Sequence, residues 1–169
     1  MAARAAGRSG ARVILADDGP RFGGMLLGGS ERIDGRPAAD WIAGVVAELE
    51  ALPNVTLLLR TMATSYYDHN MLVLHQRLDD DKAAPPTHRP RQRLWQVRCG
   101  EVVLATGSVE RPLVFADNDR PGVMLASAAA TYANRFGLRA GERAVVFTNN
   151  GSAYGAASDL AAAGIDIQA

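Results

Sequence analysis

Hydrophobic positions are grouped in two ways along this chain. Val13-Ile14-Leu15-Ala16 is an unbroken apolar run that closes on Asp17-Asp18. A run of branched and aliphatic residues predicts a strand covered on both faces, as in a parallel sheet. Ahead of it, the alanine-rich residues 2–10 predict the last turns of a helix closed by glycine. Gly19-Pro20, Gly23-Gly24 and Gly28-Gly29 mark a loop. From Pro37, which suits a first helical turn because it lacks an N–H, the spacing changes. Trp41, Ile42, Val45, Val46, Leu49 and Leu52 recur at helical intervals, and Pro53-Asn54 ends the pattern. Residues 55–59 predict a second buried strand. Strand, helix and strand joined by short connections form the crossover unit of a parallel sheet.

The rhythm then alternates. Residues 64–68, 71–77 and 93–98 predict an antiparallel meander, broken by a proline-rich loop over residues 79–90 that should be mobile. Residues 101–105 return to a buried-strand pattern and run into Thr106-Gly107-Ser108. Residues 123–136 predict a helix stopped by Gly137, and residues 143–147 a strand. A polar turn follows at 148–152, then an alanine-rich helix at 153–163 and the start of a strand at 165–167. The expected fold class is α/β: a Rossmann-like nucleotide-binding fold with a parallel sheet and an antiparallel β-meander. It is read as truncated, cut at both ends. The expected division is residues 1–110, with the meander at 61–98, and residues 111–169, the start of a second, degenerate nucleotide-binding-like unit.

Composition narrows the function classes. The chain has 169 residues, 48% of them hydrophobic and 21% charged, with formal net charge zero. That is globular composition. It lacks the basic surplus of a nucleic-acid binder. Residues 89–98 hold four arginines, but Asp79-Asp80-Asp81 precedes them, and the two runs read as solvated ends of a loop and strand. A single cysteine, Cys99, excludes an internal disulfide and any multi-cysteine metal site. No apolar run reaches the roughly 18 residues of a membrane span. A soluble, cytoplasmic protein is the expectation.

A dinucleotide-binding unit needs a strand, a glycine turn, a helix, and a second strand ending in an acid that accepts from the adenosine ribose. Residues 2–18 supply the end of a helix, the second strand and the acids Asp17 and Asp18. An acid after a strand can equally be a solvated loop residue. Leu104-Ala105-Thr106-Gly107, about 90 residues later, strengthens the nucleotide reading: an aliphatic strand ending in small residues lets a cofactor lie against the backbone. A second glycine turn is altered. After Val145-Val146-Phe147, Thr148 and Asn150 take the first two glycine positions and Ala153 the third, which would crowd a pyrophosphate.

Longer strings resemble a known family. Residues 102–124 (Val102-Val103-Leu104-Ala105-Thr106-Gly107-Ser108-Val109-Glu110-Arg111-Pro112 and onward to Arg120-Pro121-Gly122-Val123-Met124) resemble the alpha subunit of heterotetrameric sarcosine oxidase. So do Ile33-Asp34-Gly35-Arg36-Pro37-Ala38-Ala39-Asp40-Trp41, Tyr66-Tyr67-Asp68-His69-Asn70, Pro90-Arg91-Gln92-Arg93-Leu94-Trp95 and Val145-Val146-Phe147-Thr148-Asn149-Asn150. The resemblance implies an enzyme complex that oxidatively demethylates sarcosine to glycine, passes the one-carbon unit to tetrahydrofolate and makes hydrogen peroxide. It implies NAD in this region, FAD, FMN and tetrahydrofolate elsewhere in the complex, and beta, gamma and delta subunits as partners. By position it assigns Asp17 and Asp18 to the adenosine ribose, although the family's second acid is usually glutamate. It assigns Gly24 and Met25 to a loop near the cofactor, Ala63 to a segment near the adenine, and Ala105, Thr106 and Gly107 to the backbone beside the cofactor. Opine oxidase and hydrogen cyanide synthase subunits share parts of these motifs.

The remaining chemistry is sparse. His69, His75 and His88 do not share a helix face, so no metal site is expected. No serine or cysteine nucleophile accompanies Asp68-His69, and no residue presents itself as a catalytic acid or base. Three readings stand: a NAD-binding piece of a sarcosine-oxidase-type alpha subunit, inactive alone; the equivalent region of an opine oxidase or another amine-oxidising, FAD/NAD(P)-dependent subunit; or a non-catalytic scaffold. Genomic sequence tests the truncation: an in-frame Gly-x-Gly-x-x-Gly turn within about 20 residues upstream is expected from the fingerprint's spacing, and a stop codon there would contradict it.

Overall fold

The computed structural model describes residues 1–80, 82, 83 and 88–168. By spatial proximity the chain forms two units, Met1–Phe22 with Ile42–Thr106 and Gly23–Trp41 with Gly107–Ala169. The sequence-based division at residue 110 differs from this in giving residues 23–41 and 107–110 to the first part of the chain.

In the first unit, helix α1 (Ala2–Arg8) leads into strand β1 (Val13–Ala16). Strand β1 pairs in parallel with β4 (Val55–Leu58), in register from Val13 opposite Val55 to Ala16 opposite Leu58. Two short strands, β2 (Arg32–Ile33) and β3 (Arg36–Pro37), and helix α2 (Ala38–Glu50) lie between them in sequence. The buried positions Ala38, Ile42 and Leu49 follow the helical spacing of the pattern. Pro37 is not in the first helical turn: it closes the β2–β3 ladder opposite Arg32, and the helix starts one residue later. Asn54 ties the corner, its Nδ2 donating to Gly7 O at 2.9 Å and Ala11 O at 2.6 Å. Gly7 permits the close approach, since a Cβ there would stand 2.8 Å from Val55 Cγ2.

Strands β5 (Thr61–Tyr67), β6 (Met71–Arg77) and β7 (Gln92–Arg98) form the antiparallel meander. Its first turn is built on two residues with positive φ, His69 (58°) and Asn70 (52°). Asn70 accepts from Tyr66 OH at 2.6 Å and donates to Gly100 O at 2.8 Å, which accounts for the tyrosine and asparagine of that string. Leu58, Leu72 and Leu74 form the core here, with Ala16, Trp95, Val97, Cys99 and Val102 packed on it. Asp79 is buried rather than solvated; it pairs with Lys82, and its backbone N–H donates to Arg91 O at 3.1 Å. Asp81 and the Pro85-Pro86 part of the expected mobile loop lie outside the described residues.

Residues 101–105 carry no strand. Val102 is half-buried on the leucine core, but Val103 and Leu104 are each 69% exposed. A strand exists only through a neighbour's N–H and C=O groups, and among the described residues none pairs here.

In the second unit, β2 and β3 form a hairpin through Asp34 (φ 49°) and Gly35 (φ 74°), the backbone signature of a tight Asp-Gly turn. Helix α3 (Ala126–Phe136) starts later than the pattern suggested because Leu125 is extended. Glu110 caps it there, accepting from Ala126 N at 3.3 Å and Ser127 N at 2.9 Å. Gly137 ends it with φ 66°. Strand β8 (Arg143–Val145), helix α4 (Ala153–Ala162) and strand β9 (Asp166–Gln168) make a second parallel crossover, β8 stopping before Phe147. Ala129, Leu160 and Ile165 are its core.

Two predictions follow from this packing. Glu48 joins α2 to α1 by accepting from Arg4 Nε at 2.8 Å and Arg8 Nε at 2.5 Å. The hydrogen bond from Arg8 chiefly holds its carboxyl below the usual carboxylate range; desolvation opposes this and Arg4 adds to it. A depressed pKa contributes stability above the unfolded-chain value, lost as pH falls through the folded value. Glu48→Gln is therefore expected to speed hydrogen exchange of the α1 amides at neutral pH, with the difference closing in acid; equal exchange at neutral pH would remove the ion pair's role. Separately, Val109 (89% exposed) and Val114 (92% exposed) join Val103 and Leu104 at the surface. Residues 1–169 alone are expected to bind a hydrophobic dye and melt broadly; a sharp transition without dye binding would contradict this.

Candidate functional site

Several backbone hydrogen bonds meet at the end of β1. Asp17 N donates to Leu58 O at 2.9 Å, and Asp17 O accepts from Thr61 N at 2.8 Å. Arg60, with φ 53°, turns the chain between β4 and β5 and donates its N–H to Gly19 O at 2.9 Å. Thr61, 2% exposed, closes the turn by donating its hydroxyl to Leu59 O at 2.8 Å. The Asp17 carboxylate is half-buried, with Oδ1 accepting from Gly19 N at 2.8 Å. That bond holds the side chain in place, and among the described residues Oδ2 has no donor of its own. Asp18 is exposed, and its carbonyl accepts from Arg77 Nη2 at 3.3 Å.

The other residues singled out in the first unit have distinct settings. Ala63 is exposed on β5 opposite Leu74, beside a register shift between Ala63 and Ser65. Thr64 takes up the shift, its hydroxyl donating to Val73 O at 3.1 Å. Bulges of this kind re-aim a strand and are frequent beside functional sites. Ala105 and Thr106 are exposed in the unpaired segment. Ala16 and Val102, which precede the two candidate segments, pack on the same leucine cluster.

Gly24, Met25 and Gly107 belong to the second unit. Gly24 opens a short 3-10 turn (Gly24–Leu27) with φ 53°, and Gly107 has φ 70°; at both, the space a Cβ would take is open. A nucleotide can approach such backbone closely. Met25 is 67% exposed and lines a cavity of about 370 Å³ with Glu110, Thr131, Ser152, Gly155 and Asp159. Sequence patterning missed the residues around it that hold the loop, Asn134 and Asp159. A lone acid in the alanine-rich stretch 153–163 was the available signal.

The altered turn after β8 is closed on itself. Thr148 Oγ1 donates to Asn150 O at 2.9 Å and accepts from Asn150 N at 3.1 Å. Asn150 Oδ1 accepts from Ser152 N at 2.9 Å and from Ser152 Oγ at 2.5 Å. The amide oxygen thus sits on a donor at the start of α4, where a phosphate would bind in an intact glycine turn. Among the described residues no cluster of side chains could hold a metal ion, and no helix is long and apolar enough to cross a membrane.

Comparison with known proteins gives this geometry a context. No family model matches the chain. It is 46% identical over 168 residues to sarcosine oxidase subunit alpha of Rhizobium meliloti (strain 1021), an alignment covering 99% of this chain and 17% of that protein. Sarcosine oxidase subunit alpha of Corynebacterium sp. (strain P-1) is 49% identical over 168 residues, covering 96% of this chain and 17% of its own length. Among solved structures, L-proline dehydrogenase from P. horikoshii matches 91% of this chain and 29% of its own, with TM-score 0.69 and 21% identity. That likeness supports the α/β, Rossmann-like fold class. Along nearly its whole length, this chain is a relative of one segment, 17% of the length, of the sarcosine oxidase alpha subunits.

Proposed function

We propose that this chain is the part of a sarcosine-oxidase-type alpha subunit that holds NAD. The observation that carries the reading is 46–49% identity to three such subunits across 96–99% of the chain. In this reading Asp17 and Asp18 receive the adenosine ribose, Ala63 lies near the adenine, and Ala105 and Thr106 offer backbone. Gly24, Met25 and Gly107 are further contacts along the dinucleotide. The donor chemistry fits. Asp17 has one oxygen fixed by Gly19 and one left for a ribose hydroxyl, and Gly24 and Gly107 leave backbone uncovered. A bound nicotinamide dinucleotide supplies hydride-transfer chemistry; the residues here bind and orient it, and none is assigned a proton transfer.

The whole complex would oxidise the N-methyl group of sarcosine, releasing glycine, passing the carbon to tetrahydrofolate and reducing oxygen to hydrogen peroxide. FAD, FMN and tetrahydrofolate would be bound outside this segment, with beta, gamma and delta subunits as partners.

Calorimetric titration of the natural gene product with NAD tests the proposal. Asp17→Ala is expected to weaken binding at least about tenfold, or about 1.4 kcal/mol, without altering the thermal midpoint by a comparable margin. Absence of binding at millimolar NAD would favour the scaffold reading. Unchanged affinity in Asp17→Ala would remove the ribose assignment alone.

A further inference from the structure

A glycine loop cannot fix its own place. Gly23, Gly24, Gly28 and Gly29 lack side chains with which to pack, and Gly23 (φ 132°) and Gly24 (φ 53°) adopt backbone that most residues avoid. Such a segment loses more conformational freedom on ordering than any other, so something outside it must hold it. In the second unit that support is visible. Asn134 of α3 donates from Nδ2 to Gly28 O at 3.0 Å and to Asp159 Oδ2 at 2.8 Å. The other carboxylate oxygen of Asp159, on α4, accepts from the Ser30 hydroxyl. One carboxylate therefore reaches both sides of Gly28-Gly29, directly at Ser30 and through Asn134 at Gly28.

Helix geometry makes the arrangement specific. Thr131 and Asn134 are one turn apart on α3 and share a face. Gly28 is buried against the first of them, and a Cβ on it would stand 2.5 Å from Thr131 Oγ1. On α4, Gly155 and Ala156 precede Asp159 by one turn, and both line the cavity that Met25 borders. The loop thus lies over a face of small residues and is held by this polar clasp.

We propose that Asp159 is a positioning residue: through Ser30 and Asn134 it fixes the loop of residues 23–30 and so sets Gly24 and Met25 for the dinucleotide. This rests on the NAD reading given above. The clasp works by geometry rather than charge, because both its partners are neutral. An asparagine at 159 can keep both bonds, its oxygen accepting from Asn134 and its amide donating to the Ser30 hydroxyl. An alanine keeps neither.

The test uses the natural gene product and two readouts: hydrogen exchange of the amides of residues 24–30, and calorimetric affinity for NAD. Asp159→Ala is expected to accelerate exchange in that loop, with α1 and the meander unaffected, and to raise the NAD dissociation constant about tenfold. Asp159→Asn is expected to match the parent in both. Asn134→Ala, a milder change should Asp159→Ala fail to fold, is expected to repeat the effect of Asp159→Ala. Parental exchange in the loop of Asp159→Ala or Asn134→Ala would overturn the clasp. A loosened loop with unchanged NAD affinity would overturn the positioning role, and so would an Asp159→Asn variant as weak as Asp159→Ala. If the parent binds no NAD, the dinucleotide reading and the positioning role fall together, while loop exchange still decides whether the clasp exists.

Discussion

Parallel strands cannot be joined by a tight turn, and that constraint organises everything between Val13 and Leu58. To bring β4 alongside β1 the chain must leave the sheet, cross and return, and α2 provides the return path. The pairing leaves the carboxyl end of β1 next to the start of the meander. There the backbone of Asp17, Gly19, Arg60 and Thr61 is knit together. Ligands of open α/β sheets bind outside the carboxyl ends of strands, in the crevice left where the strand order reverses. The acids after β1 lie at such a strand end, as the proposed ribose role requires, and the same backbone bonds that close the corner fix Asp17 in place.

Much of this was legible before any coordinates. Uninterrupted aliphatic runs gave β1 and β4, helical spacing gave α2, and alternation gave the meander, because each burial pattern has its own period. What was not legible depended on partners. Residues 101–105 have the composition of a buried strand, yet pairing is a property of neighbours, and Val103 and Leu104 stay exposed. Asp79, placed by its acidic surroundings in a solvated loop, is buried with Lys82 as its counter-charge. Asp34-Gly35 carries the signal of a tight hairpin turn and Pro37 that of a helix start, and the ladder that Pro37 closes opposite Arg32 decides between them. Candidate acids could be named from their place after a strand. The clasp through Asp159 could not, since Ser30 and Asn134 lie far from it in sequence.

The turn after β8 carries side chains where a nucleotide-binding glycine turn has none, and still leads from strand to helix. Replacing glycines by Thr148 and Asn150 adds side chains, but both fold back onto the turn, and Asn150 Oδ1 takes the Ser152 N–H. The second crossover keeps its parallel strands and its alanine-packed helix because that packing depends on Ala129, Leu160 and Ile165, not on a phosphate. Fold and ligand are separable here, and the self-bonded turn is not among the residues proposed to hold the nucleotide.

The use made of carboxylates points the same way. A general acid or base must present an oxygen to a reacting atom. Glu110 has one oxygen toward Ala126 N–H and the other toward Ser127 N–H, at the start of α3. Asp159 divides its two between Ser30 and Asn134. Glu110 holds backbone directly, and Asp159 holds the side chains of Ser30 and Asn134. Asp17 differs: among the described residues it commits Oδ1 alone, to Gly19. Its second oxygen sits on a half-buried side chain at a strand end, suited to accepting a hydroxyl hydrogen bond and poorly placed to be carried to a substrate. Carboxylates committed in this way fix loops and helix ends, which is the work the proposed cofactor-holding role asks of them.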